Sequence, residues 1–139
     1  MTMHIRPLQT QDIAAVLRLL HTNGWAHRVA DAHALAALVQ ASQRCAVAVD
    51  AQEAPVGFAR AITDGLSNGY LSMVVVDAAW RRRGIGRQLV EAVIGADPAV
   101  TWVLRAGREG ASEFFAALGF EPSTLSMERR RSALPGTAA

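Results

Sequence analysis

The chain has 139 residues, 51% of them apolar and 19% charged, a balance that suits one folded domain and excludes a disordered chain or two separate cores. No apolar run approaches the ~20 residues of a membrane span, and the start, Met1 to Arg6, has no apolar signal core, so a cytoplasmic protein without a membrane partner is expected. The formal charge is only +2, and the arginine triplets Arg81–Arg83 and Arg129–Arg131 lack the interleaved aromatics or reading helix that nucleic-acid binding would need.

In chain order, His4 to Leu8 reads as a strand. Thr10 is a plausible N-cap with Asp12 in the first turn, and Ile13, Val16, Leu17 and Leu20 recur at helical spacing until Gly24. A second helix is expected from Asp31 to Ala41, with Leu35, Leu38 and Val39 on one side. Strands follow at 45–49, 56–63 and 70–76, separated by polar turns, which gives an antiparallel meander. The single cysteine, Cys45, falls in the first of these as a small core residue. Ile85, Leu89, Val90, Val93 and Ile94 form the stripe of a third helix ending at Gly95, and Val100 to Leu104 is a strand joined to it by a right-handed βαβ crossover. A last helix is expected over 109–118, then final extended segments at Phe120 and Leu125 to Arg129. One domain over 1–131 and a flexible tail over 132–139 complete the expectation.

The most informative stretch runs from Val74 to Val90. A Val-rich strand meets the basic turn Arg81-Arg82-Arg83-Gly84-Ile85-Gly86-Arg87 and then a helix. A helix start presents N–H groups with no intrahelical partner and the positive end of the dipole. Gly84 and Gly86 let an anion approach that backbone, and Arg82, Arg83 and Arg87 add charge, so the product is a pyrophosphate cradle. A dinucleotide fingerprint would need a third glycine where Leu89 stands, and a nucleoside-triphosphate loop would need a Gly-Lys pair in a chain that has no lysine.

What does fit is [RQ]-x-x-G-x-[GA], here Arg81 to Gly86. It resembles the acetyl-CoA motif of the GCN5-related N-acetyltransferase (GNAT) family. A second segment, Ala111 to Phe120, is similar to that family's A-x-x-[FL]-Y-x-x-x-G-F, and the order of elements matches over nearly the whole chain. The resemblance implies an α+β fold: a mixed, mostly antiparallel sheet of six to seven strands with helices on both faces. It also implies acetyl-CoA as co-substrate and a small-molecule or peptide amine as acceptor; a homodimer stays open, and because the histidines show no metal-ligand spacing no metal is expected. Backbone groups of Val74, Val75 and Val76 would bond the pantetheine arm, and N–H groups from Arg82 to Arg87, Ile85 included, would hold the pyrophosphate. Arg108 stands where relatives often have a cofactor-contacting asparagine.

The departures lie at the chemistry. Phe115 occupies the place of the tyrosine that protonates the leaving thiolate in many relatives, and no carboxylate lies between Tyr70 and Val76. Alternation puts Tyr70, Ser72, Val74 and Val76 on one face, so Tyr70 and Ser72 become the candidate catalytic groups. The acceptor site is expected from the first two helices, their loop and the strand 56–63, with Trp25, His27, Arg28 and Asp64 as candidates. Trp25 serves equally well as a plug at the end of the core, and His4, His21 and His33 read as isolated surface or helix-end residues. The missing acid and base keep a second reading alive, a non-catalytic module that binds acyl-CoA.

Overall fold

The computed structural model describes residues 2–132, and the chain divides between Arg105 and Ala106 into two compact units. The first unit carries one five-stranded sheet in the order β1 (Met3–Pro7), β2 (Arg44–Asp50), β3 (Pro55–Thr63), β4 (Asn68–Val76) and β5 (Thr101–Val103). Neighbours run antiparallel except the last pair, β4 and β5, which is parallel. A parallel pair requires a crossover, and here the connection contains the helix α3 (Ile85–Ile94).

Strand alternation sorts the core into two layers. Val47 and Val49 of β2 and Phe58 of β3 are fully buried with Val16, Leu19 and Leu20 of α1 (Ile13–Thr22) and Leu35 of α2 (Ala32–Ala41). The opposite face is lined by small residues, Ala46, Ala48, Gly57 and Ala59, and α3 settles close to it. A Cβ on Gly57 would lie 2.9 Å from Leu89 Cδ1. Helices therefore cover both faces, as the sequence pattern predicts. Among the described residues no helix is long and apolar enough to cross a membrane.

Two arginines lock this sheet to its connections. Arg44 donates to the carbonyls of Val93 and Ile94 at 2.9 and 3.2 Å and lies 5.9 Å from the Trp102 ring centre, so it caps the end of α3 where the dipole favours a cation. Arg6 grips the buried carboxylate of Asp12 through Nη1 and Nη2 at 2.7 and 3.0 Å. Asp12 also accepts from Gln9 N–H at 2.8 Å. Gln9, rather than the expected Thr10, stands before the single 3₁₀ turn that opens α1, because the Asp12 side chain reaches back to that backbone.

Gly69 shows how tightly the parallel pair is built. The Trp102 ring lies over it, and a Cβ there would fall 2.4 Å from the ring edge. Gly69→Ala forces a rigid indole to move, so thermal denaturation is expected to register a loss of about 1–3 kcal/mol. An unchanged melting temperature would mean that the ring has room to retreat.

The second unit holds the helix α4 (Ala111–Ala116), six residues where ten were expected. Gly110 precedes it with φ +80° and Gly119 follows with φ +96°. Among the described residues the sheet has five strands and not the expected six to seven, because 120–129 forms no strand. Pro122 removes a ladder donor, and the Ser123 hydroxyl accepts instead from the N–H groups of Leu125 and Ser126 at 3.1 and 3.2 Å. Leu125 and Met127 are left exposed. The expected tail over 132–139 lies outside the described residues except for Ser132.

Candidate active site

The site is built on β4. Phe58 pairs with Val75, yet Arg60 pairs with Ser72, so one extra residue is inserted into β4 between them. Met73 takes φ +57° at this bulge, a left-handed conformation costly for a side chain with a Cβ. The strained residue is pinned because its own side chain is buried in the core beside Phe58 and Val75. The bulge also reverses the pleat. Tyr70 and Ser72, opposite Ile62 and Arg60, share the α1/α2 face, whereas Val76, opposite Gly57, lies on the α3 face, and with it Val74. The expected single face for Tyr70, Ser72, Val74 and Val76 is thus broken at Met73.

The short β5 leaves an open edge beside the bulge. β5 pairs with β4 only through Asn68, Gly69 and Tyr70. Beyond Tyr70 the outer side of β4 has no strand neighbour in the sheet of the first unit, so the backbone at Val74, Val75 and Val76 borders an unfilled edge. An edge of that kind accepts an extended amide-bearing chain by strand addition.

A short 3₁₀ turn, Ala78–Trp80, leads from this edge to the basic turn. Arg82 has φ +63° and Gly84 φ +76°, and the left-handed Gly84 followed by the helical Ile85 turns successive N–H groups to one side, the geometry of an anion nest. Gly84 is the N-cap of α3, with no side-chain cap, so the free N–H groups at Ile85, Gly86 and Arg87 extend the nest. Ile85 is anchored in the core while Arg82, Arg83, Gly84 and Arg87 are exposed.

The arginines divide their labour. Arg81 donates from Nε to the Val76 carbonyl at 3.1 Å and bonds the Asn23 side chain, which ties the end of β4 to the end of α1. Arg83 stacks 5.1 Å from the Trp80 ring centre, and Arg87 pairs with Glu91 at 3.2 Å one turn along the helix. In the second unit, Phe115 makes edge-on contacts with Phe114 and Phe120, at 4.9 and 5.8 Å between ring centres, and Arg108 is exposed just before α4.

The four acceptor candidates are not equivalent. Trp25 is half-buried against the core, His27 is exposed and Arg28 is intermediate. Asp64 is exposed, and its carboxylate accepts from the N–H groups of Leu66, Ser67 and Asn68 and from the Ser67 hydroxyl. These bonds, the Ser67 hydroxyl first, hold its carboxyl well below the usual range. His21, expected to be isolated, bonds the Val29 carbonyl at 2.7 Å. Among the described residues no group of three or more His, Cys, Asp or Glu side chains could hold a metal ion.

One residue was not foreseen. Arg60 of β3 is only 8% exposed, and burial lowers its pKa against the opposing influence of the Cys45 thiol and the Tyr70 hydroxyl. A lone arginine inside a strand otherwise rich in apolar and small residues was the available signal.

Residues 41–122 match the family model of the acetyltransferase (GNAT) domain. The chain belongs to the GNAT family. The matched segment spans β2 through α4 and includes both the open edge and the basic turn, and the protein is a GNAT-type N-acetyltransferase. No curated protein sequence matches it significantly. Among solved structures, a protein belonging to the GNAT family from Xanthomonas campestris pv. campestris is 25% identical, with TM-score 0.80 and 99% of each chain covered. Glucosamine-6-phosphate N-acetyltransferase from Arabidopsis thaliana shares the fold at TM-score 0.69 and 15% identity, over 95% of this chain and 100% of that one. So does Arabidopsis thaliana NAA60, in complex with a bisubstrate analogue, at TM-score 0.67 and 20% identity over 86% and 84%.

Proposed function

We propose that this GNAT enzyme transfers the acetyl group of acetyl-CoA to a primary amine by direct attack in a ternary complex, with residues 1–131 acting as one transferase domain. The observation that carries the reading is the β4 edge left unpaired beyond Tyr70, running past the bulge at Met73 to the basic turn before α3. Amide-bearing pantetheine suits Val74–Val76, and a pyrophosphate suits the N–H groups from Arg82 to Arg87. Acetyl-CoA supplies the activated thioester; the protein supplies position. Two reactants held in register convert a bimolecular step into an effectively unimolecular one, so most of the acceleration needs no covalent enzyme intermediate. Backbone N–H groups beside the bulge are the donors available to a developing oxyanion.

The amine must arrive unprotonated, and departure of the thiolate needs a proton. Phe115 has none to give. We assign that proton to Tyr70, with Ser72 beside it on the same face, and the acceptor to a small-molecule or peptide amine bordered by Trp25, His27, Arg28 and the Asp64 turn. Release of free CoA thiol from acetyl-CoA over a panel of amines tests the reading, with kcat/KM expected to rise with pH as the acceptor amine loses its proton. Tyr70→Phe is expected to lower kcat by about tenfold or more at unchanged acetyl-CoA affinity, within the usual worth of a general acid. Tight acetyl-CoA binding with no turnover for any amine would replace the enzyme reading by a non-catalytic acyl-CoA-binding module.

A further inference from the structure

Resting on that reading, we propose that Arg60 is the anion-recognising residue of the acceptor site, so that the preferred amine carries a carboxylate or phosphate of its own. Arg60 lies on β3 between Cys45 of β2 and Ser72 of β4, its registered partners on either side. It shares the α1/α2 face with Ser72 and Tyr70, one strand in from the bulge. Adjacent strands are about 4.8 Å apart, so its long side chain starts within one strand of the groups assigned to the chemistry.

Among the described residues the charge is buried without a counter-ion. Arg60 Nε donates to the Ser42 hydroxyl at 2.9 Å, and that hydroxyl gives its proton to the Leu38 carbonyl at 2.6 Å. This neutral relay sits at the end of α2, where the dipole offsets only part of a cation's desolvation. No carboxylate among the described residues pairs with Arg60. A guanidinium has five N–H donors in a planar fork, and among the described residues only Nε of Arg60 has a hydrogen-bond partner. Among the described residues no sealed side-chain nitrogen is left without a partner, so the Nη groups are not fully sealed from solvent. A largely buried fork that is not fully sealed fits an oxyanion, which it can bind in bidentate fashion.

The test is kcat/KM, referred to the concentration of unprotonated amine, for paired acceptors with and without the anion: amino acids against their amides, and aminoalkyl phosphates against the amino alcohols. The wild-type enzyme is expected to prefer at least one anionic series by about tenfold or more, the worth of one charge-assisted hydrogen bond. Arg60→Gln should raise KM for that series by a similar factor while kcat, acetyl-CoA affinity and the neutral acceptors change little. Arg60→Lys, which keeps the charge but loses the fork, should recover part of the preference. The two anionic series separate carboxylate from phosphate recognition. Turnover with no preference for an anion, or equal loss of anionic and neutral acceptors in a folded Arg60→Lys enzyme, would overturn the proposal alone. Absence of turnover in every series would overturn the transferase reading and this proposal with it.

Discussion

Gly86→Val is expected to lower acetyl-CoA affinity by about a hundredfold while leaving the melting temperature nearly unchanged. Gly86 is the second residue of α3, in helical backbone that valine can adopt, so the substitution costs the fold little. Its N–H belongs to the helix start and has no intrahelical partner. Branched methyl groups there would stand between that N–H and a pyrophosphate oxygen. The loss combines crowding of about 1–3 kcal/mol with a charge-assisted hydrogen bond of about 1.5–3 kcal/mol, and the smaller sum already approaches a hundredfold. Gly84→Ala makes the contrasting case. No atom lies within 4 Å of its missing Cβ, but φ is +76°, so the cost falls on backbone strain and stability. Arg82→Ala should weaken binding only a few-fold, and less at high salt, because the charge is exposed. Isothermal titration of the folded variants decides; wild-type affinity in Gly86→Val would remove the nest from the account.

The largest stability effect is expected at Asp12→Ala. The carboxylate is 2% exposed and is held by both Nη atoms of Arg6 and by Gln9 N–H. Its removal strands a nearly buried guanidinium, a loss of about 3–5 kcal/mol in such pairs. Arg6 retains Glu53 at 3.2 Å, so the lower end applies, about 3 kcal/mol or roughly 6–15 °C in melting temperature for a domain of this size. The pair also sets an acid dependence. Burial works to raise the Asp12 carboxyl, but the Arg6 guanidinium and the Gln9 N–H outweigh it, and the folded pKa lies below the ordinary 3.8. Its stabilisation is therefore complete above the unfolded-state pKa and drains away as pH falls through the lower folded value. Melting temperatures of wild type and Asp12→Asn should converge below about pH 4. A difference that persists undiminished at pH 2 would assign the effect to packing.

What the sequence made legible follows from how local each signal is. The strand, basic turn and helix from Val74 to Val90 are adjacent in the chain, and glycines mark their junctions, so the succession of elements and the ends of α3 could be read directly. The bulge could not. Methionine carries no preference for φ +57°, and its conformation is imposed by the Phe58–Val75 and Arg60–Ser72 registers across the sheet. Simple alternation therefore fails beyond Ser72. The extra strands expected after Gly119 fail for a similar reason: apolar letters at Leu125 and Met127 imitate a strand, while Pro122 and the Ser123 turn spend the local donors otherwise. Arg60 and Asp12 were invisible as partners because Ser42 and Arg6 meet them only in the folded chain.

In the proposed complex acetyl-CoA lies along the open half of β4 with its pyrophosphate in the turn before α3. Backbone amide hydrogen exchange of the wild-type chain, with and without saturating acetyl-CoA, tests it most directly. New protection is expected at Val74–Val76 and from Arg82 to Arg87, with β1 and the Asp64–Asn68 turn unaffected. Saturable binding that leaves both segments exchanging at their free rates would contradict it.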